Sequence, residues 1–196
     1  MPRPRCNRCQ RPVLHCLCSL IPSLTSSTQV LVLQHPSETA HALNTARLVA
    51  LGLRNAQLRI GETFELPADG CENYLLFPGD DAIPIESLAR SNRPLRLIVP
   101  DGTWRKARKL LHLNSHLAAL PRVSLPAGLV SRYRLRKAPT PGALSTLEAV
   151  VTALNLLEGD GRFDALLHPF EALIDGQISA MGPETFQRNH SDRSGR

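Results

Sequence analysis

The sequence predicts an α/β fold, a mostly parallel sheet with helices on both faces, preceded by a small cysteine-rich head. Gln29-Val30-Leu31-Val32-Leu33 and Leu95-Arg96-Leu97-Ile98-Val99 are short, nearly continuous apolar runs of the kind that a sheet buries on both faces. Helical patterns separate these runs from each other and from weaker strand candidates, so the connections are crossovers and the strands run parallel. Four of the five cysteines fall between Cys6 and Cys18, too tightly packed for a secreted disulfide framework.

A Cys/Arg/Pro-rich head runs to about Pro22. After the first strand, Glu38 to Leu51 reads as a helix stopped by Gly52. Ala56 to Ile60 and Tyr74 to Phe77 are further strand candidates, the second ended by Pro78-Gly79. Pro100 closes the run from Leu95, and a helix follows from about Thr103 to Leu117. Val123 begins one more strand. A Pro/Gly/Arg-rich loop then leads to helices over Leu144 to Leu157 and Phe163 to Ala180, and the tail from Pro183 is polar. The expected division is a head over 1–24, a main domain over 25–182 and a tail over 183–196.

A chain of 196 residues, 42% hydrophobic, can bury one core with a small appendage, which argues against fibrous and disordered classes. The net charge of +6 is carried mostly by Arg, whose planar fork grips phosphate and stacks on bases. Residues 1–60 contain one acid, Glu38, against Arg3, Arg5, Arg8, Arg11, Arg47, Arg54 and Arg59. That asymmetry favours nucleic-acid contact at the N-terminal end, although a solvated basic surface has the same composition. No stretch has the length of a membrane span or the apolar core of a signal peptide, so the expectation is a soluble, cytoplasmic protein.

Three motifs carry chemistry. Cys6-x2-Cys9-x6-Cys16-x-Cys18 supplies four thiolates for a closed tetrahedral zinc shell, a structural site with no open position. An iron–sulfur cluster and a loose set of thiols compete with that reading, and His15 is an alternative ligand. Cys71 stands alone and reads as a packed or exposed thiol.

Pro100-Asp101-Gly102-Thr103-Trp104-Arg105-Lys106-Ala107-Arg108-Lys109 lies where a buried strand turns into a helix. Asp101 there can cap the unpaired N–H groups of the first turn, with Trp104 joining the core. The same segment puts an acid, the chain's single Trp and four basic residues at a strand C-terminus, where ligands of such folds sit. Gln34-His35-Pro36-x-Glu38 and Phe77-Pro78-Gly79 follow other strands and occupy the same edge.

Ser131-Arg132-Tyr133-Arg134-Leu135-Arg136-Lys137 is a loop with cations around a Tyr, suited to phosphate and base contact or simply solvated. Leu144-Ser145-Thr146-Leu147-Glu148 reads as a helix start, with hydroxyls that cap and could also bind the polar end of a ligand.

Together these residues resemble the DTW-domain family, named for its Asp-x-Thr-Trp signature, and particularly its bacterial tRNA-uridine aminocarboxypropyltransferases. The resemblance covers nearly the whole chain. It implies a SPOUT-like fold with a knotted C-terminal region and S-adenosylmethionine as donor. The implied reaction moves the 3-amino-3-carboxypropyl group to N3 of a tRNA uridine in the variable loop and releases methylthioadenosine.

Under that resemblance Asp101 is the candidate base for N3–H, and Trp104 stacks on uracil or shields the donor. Donor contacts fall to Phe77, Pro78, Gly79, Pro100, Asp101, Gly102, Thr103, Ser131, Arg136, Ser145, Thr146 and Glu148. Arg105, Arg108, Arg132, Tyr133 and Arg134 are the expected tRNA contacts. A SPOUT methyltransferase using the same donor and a zinc-dependent RNA-binding module without catalysis are the rival readings. SPOUT methyltransferases are commonly dimers, but the basic loop here could serve tRNA from a monomer.

Overall fold

The computed structural model describes residues 4–90, 93–135, 142–182 and 185. Arg136, Lys137 and almost all of the tail from Pro183 lie outside the described residues. Among these residues six strands form one sheet: β1 Gln29–Gln34, β2 Ala56–Ile60, β3 Glu72–Leu76, β4 Ile83–Pro84, β5 Leu95–Asp101 and β6 Arg122–Ser124. Their order is β2-β1-β5-β3-β6-β4, and every pairing is parallel. The helices are α1 Ala46–Gly52, α2 Trp104–Leu113, α3 Ser115–Ala118, α4 Thr146–Glu158 and α5 Leu167–Met181.

The central strands β1 and β5 are apolar almost throughout because both of their faces are covered. Val30, Val32, Leu97 and Val99 pack with Val49 of α1, Leu147 and Leu154 of α4 and Phe170 of α5. The alternate residues Leu31, Leu33 and Ile98 pack with Leu110 and Leu111 of α2, Leu117 of α3 and Phe64. Period-two alternation thus divides each strand between two apolar clusters. The head joins the first cluster through Cys9, Leu17 and Ile21.

Arg96 interrupts the apolar run of β5 yet is only 3% exposed. Its guanidinium donates to Gln29 Oε1 at 2.6 Å and Asn73 Oδ1 at 3.1 Å and pairs with Asp69. That hydrogen bond holds the Asp69 carboxyl below the usual carboxylate range. Placed among β1, β3 and β5 at their N-terminal ends, this satisfied cation staples the sheet edge opposite the candidate site.

Two helix expectations are corrected. The stretch from Glu38 to Leu51 is not one helix, because α1 begins only at Ala46 and Pro36–Glu38 is a short 3-10 turn. Asn44 explains the break. Its amide donates to Gln34 Oε1 at 3.3 Å and to the Glu38 carbonyl at 3.2 Å, which holds the intervening chain in turns. The helix expected from Thr103 to Leu117 divides at Asn114, whose side chain accepts from Phe64 N–H at 2.9 Å and donates to the Glu62 carbonyl at 2.7 Å. Strand β5 also runs past Pro100, which pairs in register with Leu33, and ends at Asp101. Among the described residues no helix is long and apolar enough to cross a membrane.

Candidate active site

The register of β1 on β5 sets Gln34 directly beside Asp101 at the C-terminal edge of the sheet. Both are buried, Gln34 completely and Asp101 to 9% exposure. Gln34 Nε2 donates to Asp101 Oδ2 at 2.7 Å, and the Thr146 hydroxyl, from the first turn of α4, donates to Asp101 Oδ1. Two donors aimed at the two oxygens fix the plane of the carboxyl group. Asn44 continues the network, accepting from Gln34 Nε2 at 3.2 Å and from the Arg47 N–H at 3.2 Å.

Asp101 does not cap α2, contrary to the expectation from sequence. Thr103 does, its hydroxyl accepting from Lys106 N–H, which frees the carboxylate to face Gln34 and Thr146. Gly102 makes the reversal between strand and helix possible. Its φ of 149° lies where L side chains are rare, and a Cβ there would stand 3.1 Å from Lys106 Cβ.

Two cavities meet at this point. The first, of about 230 Å³, is an apolar cleft walled by Phe77, Pro78, Pro100, Trp104, Leu125 and Leu144, with Gly102, Ser145 and Thr146 on its polar side. Trp104 meets Phe77 edge to face at 5.4 Å between ring centroids. The second, of about 340 Å³, is polar and is lined by Gln34, Glu38, His41, Asp101, Thr103 and Tyr133. Gly102, Ser145 and Thr146 border both, and Asp101, which lines only the second, meets Thr146 at the wall between them.

Other expected residues take supporting places. Gly79 does not line the cleft, since it sits beneath Arg122, whose Nη1 is 2.6 Å from where a Cβ would be. Glu148 is 5% exposed, and its carboxylate is filled from within the chain. It accepts from Ser145 N–H at 2.8 Å, completing a capping box, and from Arg132 N–H at 2.6 Å and Ser131 Oγ at 2.9 Å. Glu148 therefore latches the 131–135 loop to the start of α4. Replacing it with Gln leaves donors facing an amide, so we expect a loss of about 2 kcal/mol, or roughly 4–8 °C in Tm. Calorimetry showing an unchanged Tm would refute the latch.

Arg132 pairs with Glu171 at 2.7 Å and Arg134 with Asp175, while Tyr133 lies edge-on to Phe170 at 5.4 Å. Lys106 reaches Glu38 and Lys109 reaches Glu62, each at 2.6 Å. Hydrogen bonding and charge from Lys109, aided by His35, hold the Glu62 carboxyl below its ordinary range. Arg105 and Arg108 are exposed on α2 and pair with no acid among the described residues.

In the head, the Sγ atoms of Cys6, Cys9, Cys16 and Cys18 lie within 4.8 Å of one another and could hold a metal ion. Cys6 and Cys18 approach to 3.6 Å, Cys9 and Cys16 to 3.7 Å. Backbone N–H groups of Cys9 and Arg8 draw the Cys6 thiol down to about 6, whereas burial pushes Cys18 up to about 12. Exposed His15 stands outside this quartet. Cys71 sits at the opposite edge of the sheet, before β3, where burial and then Asp69 raise its pKa, as for a thiol kept protonated.

Sequence reasoning missed the partners of Asp101. Gln34 and Thr146 lie 67 and 45 residues from it, and the only local sign of the pairing is a polar residue ending each buried strand.

A family model of the DTW domain matches residues 3–178. A Drosophila melanogaster protein named tRNA-uridine aminocarboxypropyltransferase 2 is 32% identical over 90% of this chain and 76% of its own length. A Macaca fascicularis protein of the same name is 32% identical over 98% of the chain and 70% of its own. An Arabidopsis thaliana protein named tRNA-uridine aminocarboxypropyltransferase A is 30% identical over 80% and 73%. No solved structure gives a significant match.

Proposed function

The chain belongs to the DTW domain family, and from that premise we propose that it is a tRNA-uridine aminocarboxypropyltransferase. Its donor is S-adenosylmethionine and its acceptor is N3 of a tRNA uridine, in the variable loop. One arrangement carries this reading to the atomic level: a buried carboxylate in a polar cavity, oriented by Gln34 and by Thr146, the latter also bordering an adjacent apolar cleft.

The apolar cleft suits the adenosine portion of the donor, with Phe77 and Trp104 offering aromatic surface and Ser145 and Thr146 offering hydroxyls. Uracil enters the polar cavity. As the N3–carbon bond forms, the bond from that carbon to the sulfonium breaks and methylthioadenosine leaves with the electron pair. The sulfonium needs no protonation, so the protein supplies alignment and a place for the N3 proton. Asp101 takes that proton. Gln34 and Thr146 hold the carboxylate in line, and Trp104 and Phe77 keep water from the donor side.

The head is a structural zinc site. A tetrahedron with Zn–S bonds of about 2.3 Å has S···S edges of about 3.8 Å, close to the 3.6 and 3.7 Å between Cys6 and Cys18 and between Cys9 and Cys16. A cluster of several irons spreads its thiolates farther apart. Zinc would supply cross-linking to a segment that has little core of its own. We further read 25–182 as a SPOUT-like catalytic domain with a knotted C-terminal region, a reading supported by the family resemblance and in keeping with the parallel sheet. The site of action is the cytoplasm.

Mass spectrometry of tRNA nucleosides from cells lacking the protein tests the assignment. The aminocarboxypropyluridine peak should disappear and return on re-expression. An undiminished peak would refute it.

A further inference from the structure

A third cavity, of about 390 Å³, runs between the cysteine head, the turn region 39–48 and α5. Arg5, Arg11, His15, His41 and Arg47 line it, and none of its described lining residues is Asp or Glu. Elsewhere the surface neutralises many of its cations. Arg132, Arg134, Lys106, Lys109, Arg122 and Arg162 all have carboxylate partners. The acids of α5 nearest the groove, Glu171 and Asp175, are themselves engaged by Arg132 and Arg134.

The groove's own arginines have no carboxylate partner among the described residues, the Cys9 sulfur alone acting on Arg11. Arg5 and Arg11 donate only to backbone carbonyls, Arg5 to Gln10 at 3.0 Å and Arg11 to His15 at 3.2 Å and Ala42 at 2.8 Å. The half-buried Arg47 guanidinium has no partner among the described residues. Guanidinium groups without carboxylate partners, gathered in a concave surface with no Asp or Glu, suit a polyanion even though the Cys9 and Cys16 sulfurs of the metal quartet also line it. The Arg11 bond to Ala42 also fastens the head to the body, so the cysteine-rich segment forms a fixed wall of the groove.

Position identifies the polyanion. His41 and Asn44 line both this groove and the polar cavity that holds Asp101, so the two adjoin across these residues. We infer that the groove binds the RNA sugar-phosphate backbone beside the target uridine, with Arg5 and Arg47 on phosphates, and so feeds the base into the cavity. The inference rests on the proposed tRNA-modifying function and assigns the entrance of its substrate path to the head, the 39–48 region and α5, with the 131–135 loop reached only at the polar cavity.

The test measures binding of total tRNA from cells lacking the protein across a salt series, with transfer and S-adenosylmethionine affinity measured in parallel. Arg47→Glu should weaken tRNA binding about tenfold at roughly 0.1 M salt, and Arg5→Ala with Arg47→Ala should lower the slope of log K against log salt by about 0.7–0.9 for each phosphate released from its arginine. Donor affinity and melting temperature should be unchanged. Arg54→Ala, whose side chain is outside the groove and bonded to Ser23, should keep the wild-type slope. Wild-type affinity and slope in both groove variants would overturn the groove while leaving the enzymatic assignment intact. If these variants weaken tRNA binding as expected yet the wild type transfers nothing to any tRNA, the groove stands and the enzymatic assignment falls.

Discussion

Asp101→Asn slows single-turnover transfer by roughly 10²–10⁴-fold, the range a positioned general base contributes. The amide has nearly the same shape and stays between Gln34 and Thr146, so packing is little changed, but it has no basic oxygen to take the N3 proton. Its NH2 also meets a hydroxyl that donates to Asp101 in the wild type, although that hydroxyl can rotate to accept. Donor affinity measured by calorimetry should therefore hold, separating loss of the base from loss of the fold. Because uracil N3–H ionises at high pH, the variant should recover as pH rises and the wild type should gain less. Near-normal rates for Asp101→Asn across the pH range would remove Asp101 as the base.

Cys16→Ser tests the metal head through a residue whose side chain is exposed. At an exposed site with no other duty the exchange of sulfur for oxygen is worth within about 0.5 kcal/mol. As one of four ligands in the proposed zinc site, Cys16 would carry part of a binding energy that is also folding energy, and losing it would cost several kcal/mol on the scale of structural zinc sites, about 10–16 kcal/mol in full. Elemental analysis should find one zinc per chain in the wild type and a marked deficit in the variant. Hydrogen exchange should show the head losing protection together with Leu17 and Ile21, which anchor it to the core, while β1 and β5 stay protected. A metal-free wild type with an ordered head would refute the zinc site.

The parts of the fold legible in the sequence are those whose signals are local. β1 and β5 can be read because two-sided burial makes them almost continuously apolar, and the cysteine head because its ligands are neighbours in sequence. Where a side chain serves a distant partner, the local pattern misleads. Asn44 spends its amide on Gln34 and the Glu38 carbonyl, Asn114 on the remote backbone of Glu62, and both break helices that periodicity alone would continue. Asp101 looks like a cap because Asp before a helix usually is one, yet Thr103 fills that role and Asp101 answers to strand register and to a helix start 45 residues away. Glu148 is legible as half of a capping box, but not as the anchor of the 131–135 loop, which only tertiary contact reveals.

The central claim is that the aminocarboxypropyl group, rather than the methyl group, is transferred to tRNA. Its most direct test is identification of the small-molecule by-product when the purified protein is incubated with S-adenosylmethionine and tRNA lacking the modification. Methylthioadenosine, released in step with aminocarboxypropyluridine in the digested tRNA, is the expected result. Adenosylhomocysteine accompanied by a methylated nucleoside would contradict it.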